Sequence, residues 1–180
     1  MHKPVGVLSQ FVREQKRKKK LLGDLYNFPK GIMSVGRLDE KSEGLLLLTS
    51  NGKESHRICS SGIEKEYYVQ VDGIITKKAV EKLKKGVEIG FNGKKYQTKP
   101  GKSFLIDTPK FPLRSQKIRD DRHGPTSWVA IVIREGKYRQ VRKMTAAVGF
   151  PTLRLIRVRV GTHLLGDLAV GATKKVESLL

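Results

Sequence analysis

Between Gly36 and Thr49 the chain gathers Asp39, Glu40 and Glu43 in a turn bounded by Gly36 and Gly44, then runs through Leu45, Leu46, Leu47 and Leu48. A short apolar run flanked by turn residues reads as a buried strand, here residues 45–49, and Ser50, Asn51 and Gly52 end it. The strand fixes where the turn must sit, so a carboxylate is held beside a sheet, where it can do chemistry. That placement carries weight because acids are scarce, 17 Asp and Glu against 37 Lys and Arg.

A length of 180 residues with 38% hydrophobic residues suits one domain with a real core, or one domain divided into two lobes around a cleft. A net charge of +20 predicts attraction to a polyanion through phosphate contacts and counterion release, with nucleic acid the leading partner. An acidic membrane surface competes, but the longest apolar run, Trp128 to Ile133, falls far short of the ~18 residues a spanning helix needs. Residues 1–8 contain no apolar signal segment, so a cytoplasmic protein is expected. A lone cysteine, Cys59, cannot form an internal disulfide. His2, His56, His123 and His163 show no close ligand spacing, so no metal site is expected. Cys59 reads as a small core or interface residue, and the histidines as surface or backbone-pairing residues.

Along the chain, residues 2–10 read as extended because Pro4 biases against helix. Residues 13–20 end in Lys16, Arg17, Lys18, Lys19 and Lys20, which read as a solvated loop or as an arm for RNA backbone, two compatible roles. A short helix over 53–59 precedes a strand over 65–71 with Tyr67, Val69 and Val71 on one face. Thr76 caps a helix that buries Ala79, Val80 and Leu83 and stops at Gly86. Residues 107–125, rich in proline and carrying Lys110, Arg114, Lys117, Arg119 and Arg122, form a long basic loop. After a strand at 128–133, the spacing predicts a helix over 137–148 with Val141, Met144 and Val148 inward and Arg139, Arg142 and Lys143 on another face. A last long strand covers 152–160 and a turn-rich segment 164–171. Strands with few, short helices indicate an α+β fold.

Three neighbouring acids repel one another, so a nucleophilic carboxylate among them needs a cation close by, and a guanidinium offers a bidentate fork. Arg142 and Arg37 are the candidates. Taken alone, the turn fits Asp39 as an ordinary turn or capping residue equally well.

Several stretches, in order, resemble one family. Lys3-Pro4-Val5-Gly6 is similar to the KPxG element of the pseudouridine synthases of the RsuA and RluB/E/F group, which isomerise specific uridines in ribosomal RNA. Residues 36–49 resemble that family's GRLDxxSxGLLLLT motif, residues 65–69 its KxYxV element, and residues 135–144 its EGxxxQVRRM helix. The stretch from Leu155 to Leu168 resembles its C-terminal motif, so the likeness spans about residues 2 to 172. Residues 7–11, 125–128 and 149–157 lean towards RluE, a large-subunit rRNA enzyme.

The resemblance implies that Asp39 is the nucleophile, Tyr67 the active-site tyrosine and Arg142 the partner of the aspartate. Tyr67 would serve as a stacking platform, although a strand aromatic in the core reads the same way. Arg37 and Arg139 would touch phosphates or neighbours of a flipped nucleotide. Leu38 and Leu155 would wall the pocket, a role that core packing alone would also explain. The fold implied is α+β, with a mixed, mostly antiparallel sheet in two lobes flanked by a few helices around a central RNA-binding cleft. It would be a single catalytic domain over 1–180 with no S4-type domain ahead of it. The implied activity converts a specific uridine of large-subunit (23S) rRNA to pseudouridine without metal or redox cofactor. The partner would be rRNA or a pre-ribosomal particle, met by a monomer without an obligate protein partner. A non-catalytic rRNA-binding or ribosome-assembly protein on the same scaffold is the alternative. A hydrolase pairing Asp39 with Glu43 leaves the arginine-rich helix unexplained.

Overall fold

The computed structural model describes residues 1–12, 18–119 and 121–179. They fall into two compact units: one from Met1–Ile63, Arg114–Gln116 and Ile156–Leu180, the other from Glu64–Leu113 and Lys117–Leu155. The Thr152–Val160 strand begins in the second unit and ends in the first.

In the first unit the extended N-terminal stretch is not one strand but two, His2–Lys3 and Val7–Leu8. Pro4 has no amide to donate to a ladder, and Gly6 turns the chain at φ +80. His2–Lys3 pairs antiparallel with Glu43–Leu45, which in turn runs parallel to Ile156 and Arg157. That parallel pairing presses Gly44 onto Arg157. A Cβ at Gly44 would stand 2.3 Å from the Arg157 carbonyl oxygen, and its φ of +104 already demands glycine.

The leucine run is also split, against the expectation of a single strand. The chain leaves the sheet after Leu45, buries both Leu46 and Leu47, and resumes as Leu48–Thr49 against Met33–Ser34. In a straight strand successive side chains point to opposite faces, so the bend is what lets both leucines reach the core. Val7–Leu8 pairs with Lys20–Leu21, which builds the end of the basic run into a sheet, while Lys16 and Arg17 lie outside the described residues. Helix α1, Gly52–Ser60, starts where the Asn51 side chain accepts from the amides of Lys53 and Glu54. It buries only Ile58, so Cys59, expected in a core or interface, is exposed.

In the second unit Lys65–Asp72 pairs antiparallel with Thr126–Ile133 along its whole length, placing Tyr67 opposite Ile131. Lys102–Ile106 adds to the other edge of Thr126–Ile133. Tyr67, Val69 and Val71 form the buried face, as their alternation predicts. Helix α2, Lys77–Lys85, is capped by the Thr76 hydroxyl on the Ala79 amide at 3.2 Å, buries Ala79, Val80 and Leu83, and ends at Gly86 with φ +88. Glu88–Phe91 and Lys94–Gln97 add a hairpin to the elements expected from the sequence, and its Asn92-Gly93 turn, both residues at positive φ, is a strong sequence signal for one.

Helix α3, Gln140–Ala147, starts later than the expected residue 137 because Arg139 sits at φ +54, a left-handed conformation that cannot propagate a right-handed helix. Val148, expected on the inward face, is the C-cap and half-buried. Mostly antiparallel pairing with three short α-helices among the described residues makes the fold α+β. No helix among them is long and apolar enough to cross a membrane.

Candidate active site

Asp39 stands half-exposed on the turn, its carbonyl accepting the Ser42 amide at 3.0 Å. Residues 3–9 form the floor beneath it. The buried Ser9 hydroxyl accepts from the Leu38 amide at 3.1 Å and donates to the Leu38 carbonyl at 2.8 Å. One side chain thereby satisfies both backbone groups of the residue before Asp39. Next along the turn, the Gly6 amide donates to the Glu40 carbonyl at 2.8 Å. The fully buried Lys3 ammonium donates to the carbonyls of Val7 at 2.7 Å, Pro4 at 2.9 Å and Glu40 at 3.5 Å. Burial pushes the Lys3 amine from its ordinary 10.5 down to about 7; the charges of Glu43, Asp39 and Glu40 oppose that fall and Arg157 adds to it.

The neighbouring acids are committed to cations. Buried Glu43 has Arg114 Nε at 3.4 Å from its Oε1, and Arg114 Nη2 also donates to the Lys41 carbonyl at 3.4 Å. Arg114, expected in a basic loop, is therefore folded onto the acidic turn. Glu40 pairs with Lys19 at 2.5 Å, so a lysine of the run expected to be solvated is half-buried against the same turn. A Glu43 sequestered in this way is poorly placed to activate water, which tells against a hydrolytic Asp39–Glu43 pair. Leu38 is buried and Arg37 exposed.

Tyr67, Arg139, Arg142 and Leu155 belong to the second unit. Tyr67 and Leu155 are buried. Half-buried Arg142, near the start of α3, donates through Nη1 to the Thr152 carbonyl at 3.5 Å. The Thr145 hydroxyl bonds the Arg142 carbonyl at 3.2 Å and lies 2.7 Å from the Thr152 hydroxyl, so α3 is stitched to the start of Thr152–Val160. Ahead of α3, the Glu135 carboxylate accepts from Tyr96 Oη at 2.5 Å, the Lys99 amide at 2.9 Å and Gln140 Nε2 at 2.5 Å. The bond to Glu135 pushes the Tyr96 hydroxyl's pKa up. Gln140 Oε1 accepts the Lys137 amide at 2.9 Å, closing the loop that presents Arg139.

Ser9, Arg114, Glu135 and Gln140 join these sites only in the folded chain, and in the sequence Lys3 reads only as part of a motif. Ser9 leaves no local signal because its partner lies far along the chain. The Glu135 to Gln140 spacing was visible within the helix motif.

The model of the RNA pseudouridylate synthase family matches residues 1–147, a span that holds the acidic turn, Tyr67 and Arg142. The protein of Vibrio parahaemolyticus named "Ribosomal large subunit pseudouridine synthase E" is 43% identical over 178 residues, 98% of this chain and 72% of that protein. Its namesake in Xanthomonas axonopodis pv. citri is 38% identical over 172 residues, 94% of this chain and 88% of that one. A solved structure described as "Crystal structure of pseudouridylate synthase" superposes with a TM-score of 0.76 at 28% identity, over 96% of this chain, which spans 66% of that one. Likeness this broad, in sequence and in fold together, leaves one conclusion: the chain belongs to the RNA pseudouridylate synthase family.

Proposed function

We propose that the chain converts a specific uridine of large-subunit ribosomal RNA to pseudouridine. The C1′–N1 glycosidic bond breaks, the uracil turns while bound, and a C1′–C5 bond forms as the C5 hydrogen departs as a proton. The names of the Vibrio and Xanthomonas relatives support the substrate class, and a net charge of +20 suits a polyanion. The observation that carries the reading is the acidic turn, where Glu40 and Glu43 hold cations while Asp39 lies beside a backbone clamped by Ser9.

In this reading Asp39 is the nucleophile, with Tyr67 and Arg142 as its catalytic partners. Arg37 and Arg139 contact phosphates, and Leu38 and Leu155 contribute apolar wall. The target base is flipped from its stack at a cost of roughly a few kcal/mol, which basic contacts offset. The protein acts as a monomer in the cytoplasm, on rRNA or a pre-ribosomal particle, without cofactor.

The test is tritium release from large-subunit rRNA transcribed with 5-tritiated uridine, comparing wild type with Asp39→Asn. Release by wild type alone is expected, with RNA affinity little changed in the variant because phosphate contacts dominate binding. An equally active variant would refute the assignment of Asp39. Tight binding without release from naked or particle-assembled RNA would favour the non-catalytic scaffold.

A further inference from the structure

Residues 77–102 carry nine lysines against only Glu81 and Glu88. All of them lie in the second unit, and their arrangement is ordered. Helix α2 turns Ala79, Val80 and Leu83 inward and leaves Lys78, Lys82 and Lys85, at i, i+4 and i+7, on one exposed stripe. Lys84 is paired with Glu81, Lys95 with Glu88 and Lys102 with Glu64, whereas Lys77, Lys78, Lys82, Lys85, Lys94 and Lys99 have no counter-charge among the described residues.

The helix's own stability does not account for this pattern. Lysines in the last turn suit the helix dipole, but Lys77 and Lys78 occupy the first turn, where the dipole opposes cations and which contains no acid. Lys78 and Lys82 additionally repel at i, i+4.

The lysine helix is tied, through the hairpin, to the helix that carries Arg142. At the end of α2 the Gly101 amide donates to the Lys84 carbonyl at 2.9 Å and the Val87 amide to the Thr98 hydroxyl at 2.8 Å. On the other side, Lys143 Nζ donates to the Gly90 carbonyl at 2.6 Å, and the Lys137 ammonium stands 5.2 Å and 5.1 Å over the rings of Phe91 and Tyr96. Cations therefore continue from α3 across the hairpin to α2.

We propose that the lysine stripe of α2 and the adjoining hairpin form an accessory track for RNA phosphates, continuing from the helix that carries Arg142. That RNA is the ligand rests on the proposed function. A lipid surface fits less well, since a helix lying on a membrane sinks apolar side chains into it and every apolar residue of α2 is already buried in its own unit.

The experiment compares Lys78→Gln/Lys82→Gln/Lys85→Gln with a control of equal charge change in the first unit, Lys53→Gln/Lys174→Gln/Lys175→Gln. Affinity for a large-subunit rRNA transcript is measured from low to moderate salt, with circular dichroism confirming both folds. The α2 variant should flatten the plot of log affinity against log salt by about 2, at roughly 0.7 for each single-strand phosphate that is no longer neutralised, and the control should flatten it less. An unchanged slope, or equal flattening by both triples, overturns the track. So does an α2 variant that loses affinity for phosphatidylserine vesicles but not for RNA. Because binding is read without turnover, absence of isomerisation by wild type would sink the proposed function and leave this result standing.

Discussion

Replacing Ser9 with alanine isolates the clamp beneath the acidic turn. The hydroxyl bonds both the amide and the carbonyl of Leu38, and both residues are buried, at 5% and 6% exposure. Removing it strands two backbone groups away from water at about 1–3 kcal/mol each, and partial rehydration brings the sum to about 2–4 kcal/mol. For a chain of this size each kcal/mol lowers the melting temperature by about 2–4 °C, so the midpoint should fall by roughly 4–16 °C. Turnover should fall as well, since a displacement of about 1 Å in a reacting group can cost 10²-fold. The assay pairs thermal unfolding, followed by circular dichroism, with single-turnover tritium release well below the lower midpoint. A wild-type midpoint would refute the energetic role of the clamp. A lowered midpoint with wild-type turnover would refute its part in positioning Asp39.

Two further predictions concern the same turn. With burial pushing Lys3 down to about 7, between pH 7 and its ordinary 10.5 the unfolded chain holds a proton that the folded protein does not, so this group's contribution to stability rises with pH across that window and is flat below it. The stability of wild type minus that of Lys3→Met, taken with its sign from denaturant titrations at pH 7 and pH 9, should become more positive by up to about 1.4 kcal/mol per pH unit, and a constant or falling difference would contradict the burial argument. Glu43 and Arg114 keep only 6% and 9% of their side chains exposed, so Glu43→Gln or Arg114→Gln alone should cost about 3 kcal/mol. The double variant should cost less than the two together, and strict additivity in a double-mutant cycle would show that the pair does not interact.

Where local rules decide a structure, the sequence could be read. Thr76 and Gly86 delimit α2, and period-two alternation puts Tyr67 on the buried face. Departures arise where distant chain intervenes. The split of the leucine run depends on Leu46 and Leu47 meeting Met1 and Val35 through backbone bonds, which no short window contains. The late start of α3 reflects a left-handed Arg139, whose loop is held by Glu135 against Tyr96, Lys99 and Gln140. Arg114 and Arg119 read as loop cations, and the fold commits them to Glu43 and Asp72. At the candidate site the acidic turn was conspicuous from its composition, but its supports were not, because Ser9 acts on a residue far along the chain.

Those supports explain why two motifs so far apart in the chain belong to one device. A glycine-bounded turn is by itself a poor holder for a reacting carboxylate, since positioning must be kept within about 0.5 Å and exposed turns sample more than that. Here the turn cannot move alone. Residue 38 is fixed by Ser9, residue 40 by Gly6 and Lys3, and residue 43 by the ladder to Ile156 and by Arg114. Ser9, Gly6 and Lys3 belong to one N-terminal segment and Ile156 and Arg114 to two others, so loss of Ser9 frees the residue before Asp39 while residues 40 and 43 stay held. Lys3 and Gly6 thus owe their place in the motif to the backbone of the acidic turn. Gly6 suits this part because its φ of +80, a conformation side-chain-bearing residues rarely adopt, goes with an amide that donates to the Glu40 carbonyl. The N-terminal motif is the floor on which the acidic motif stands.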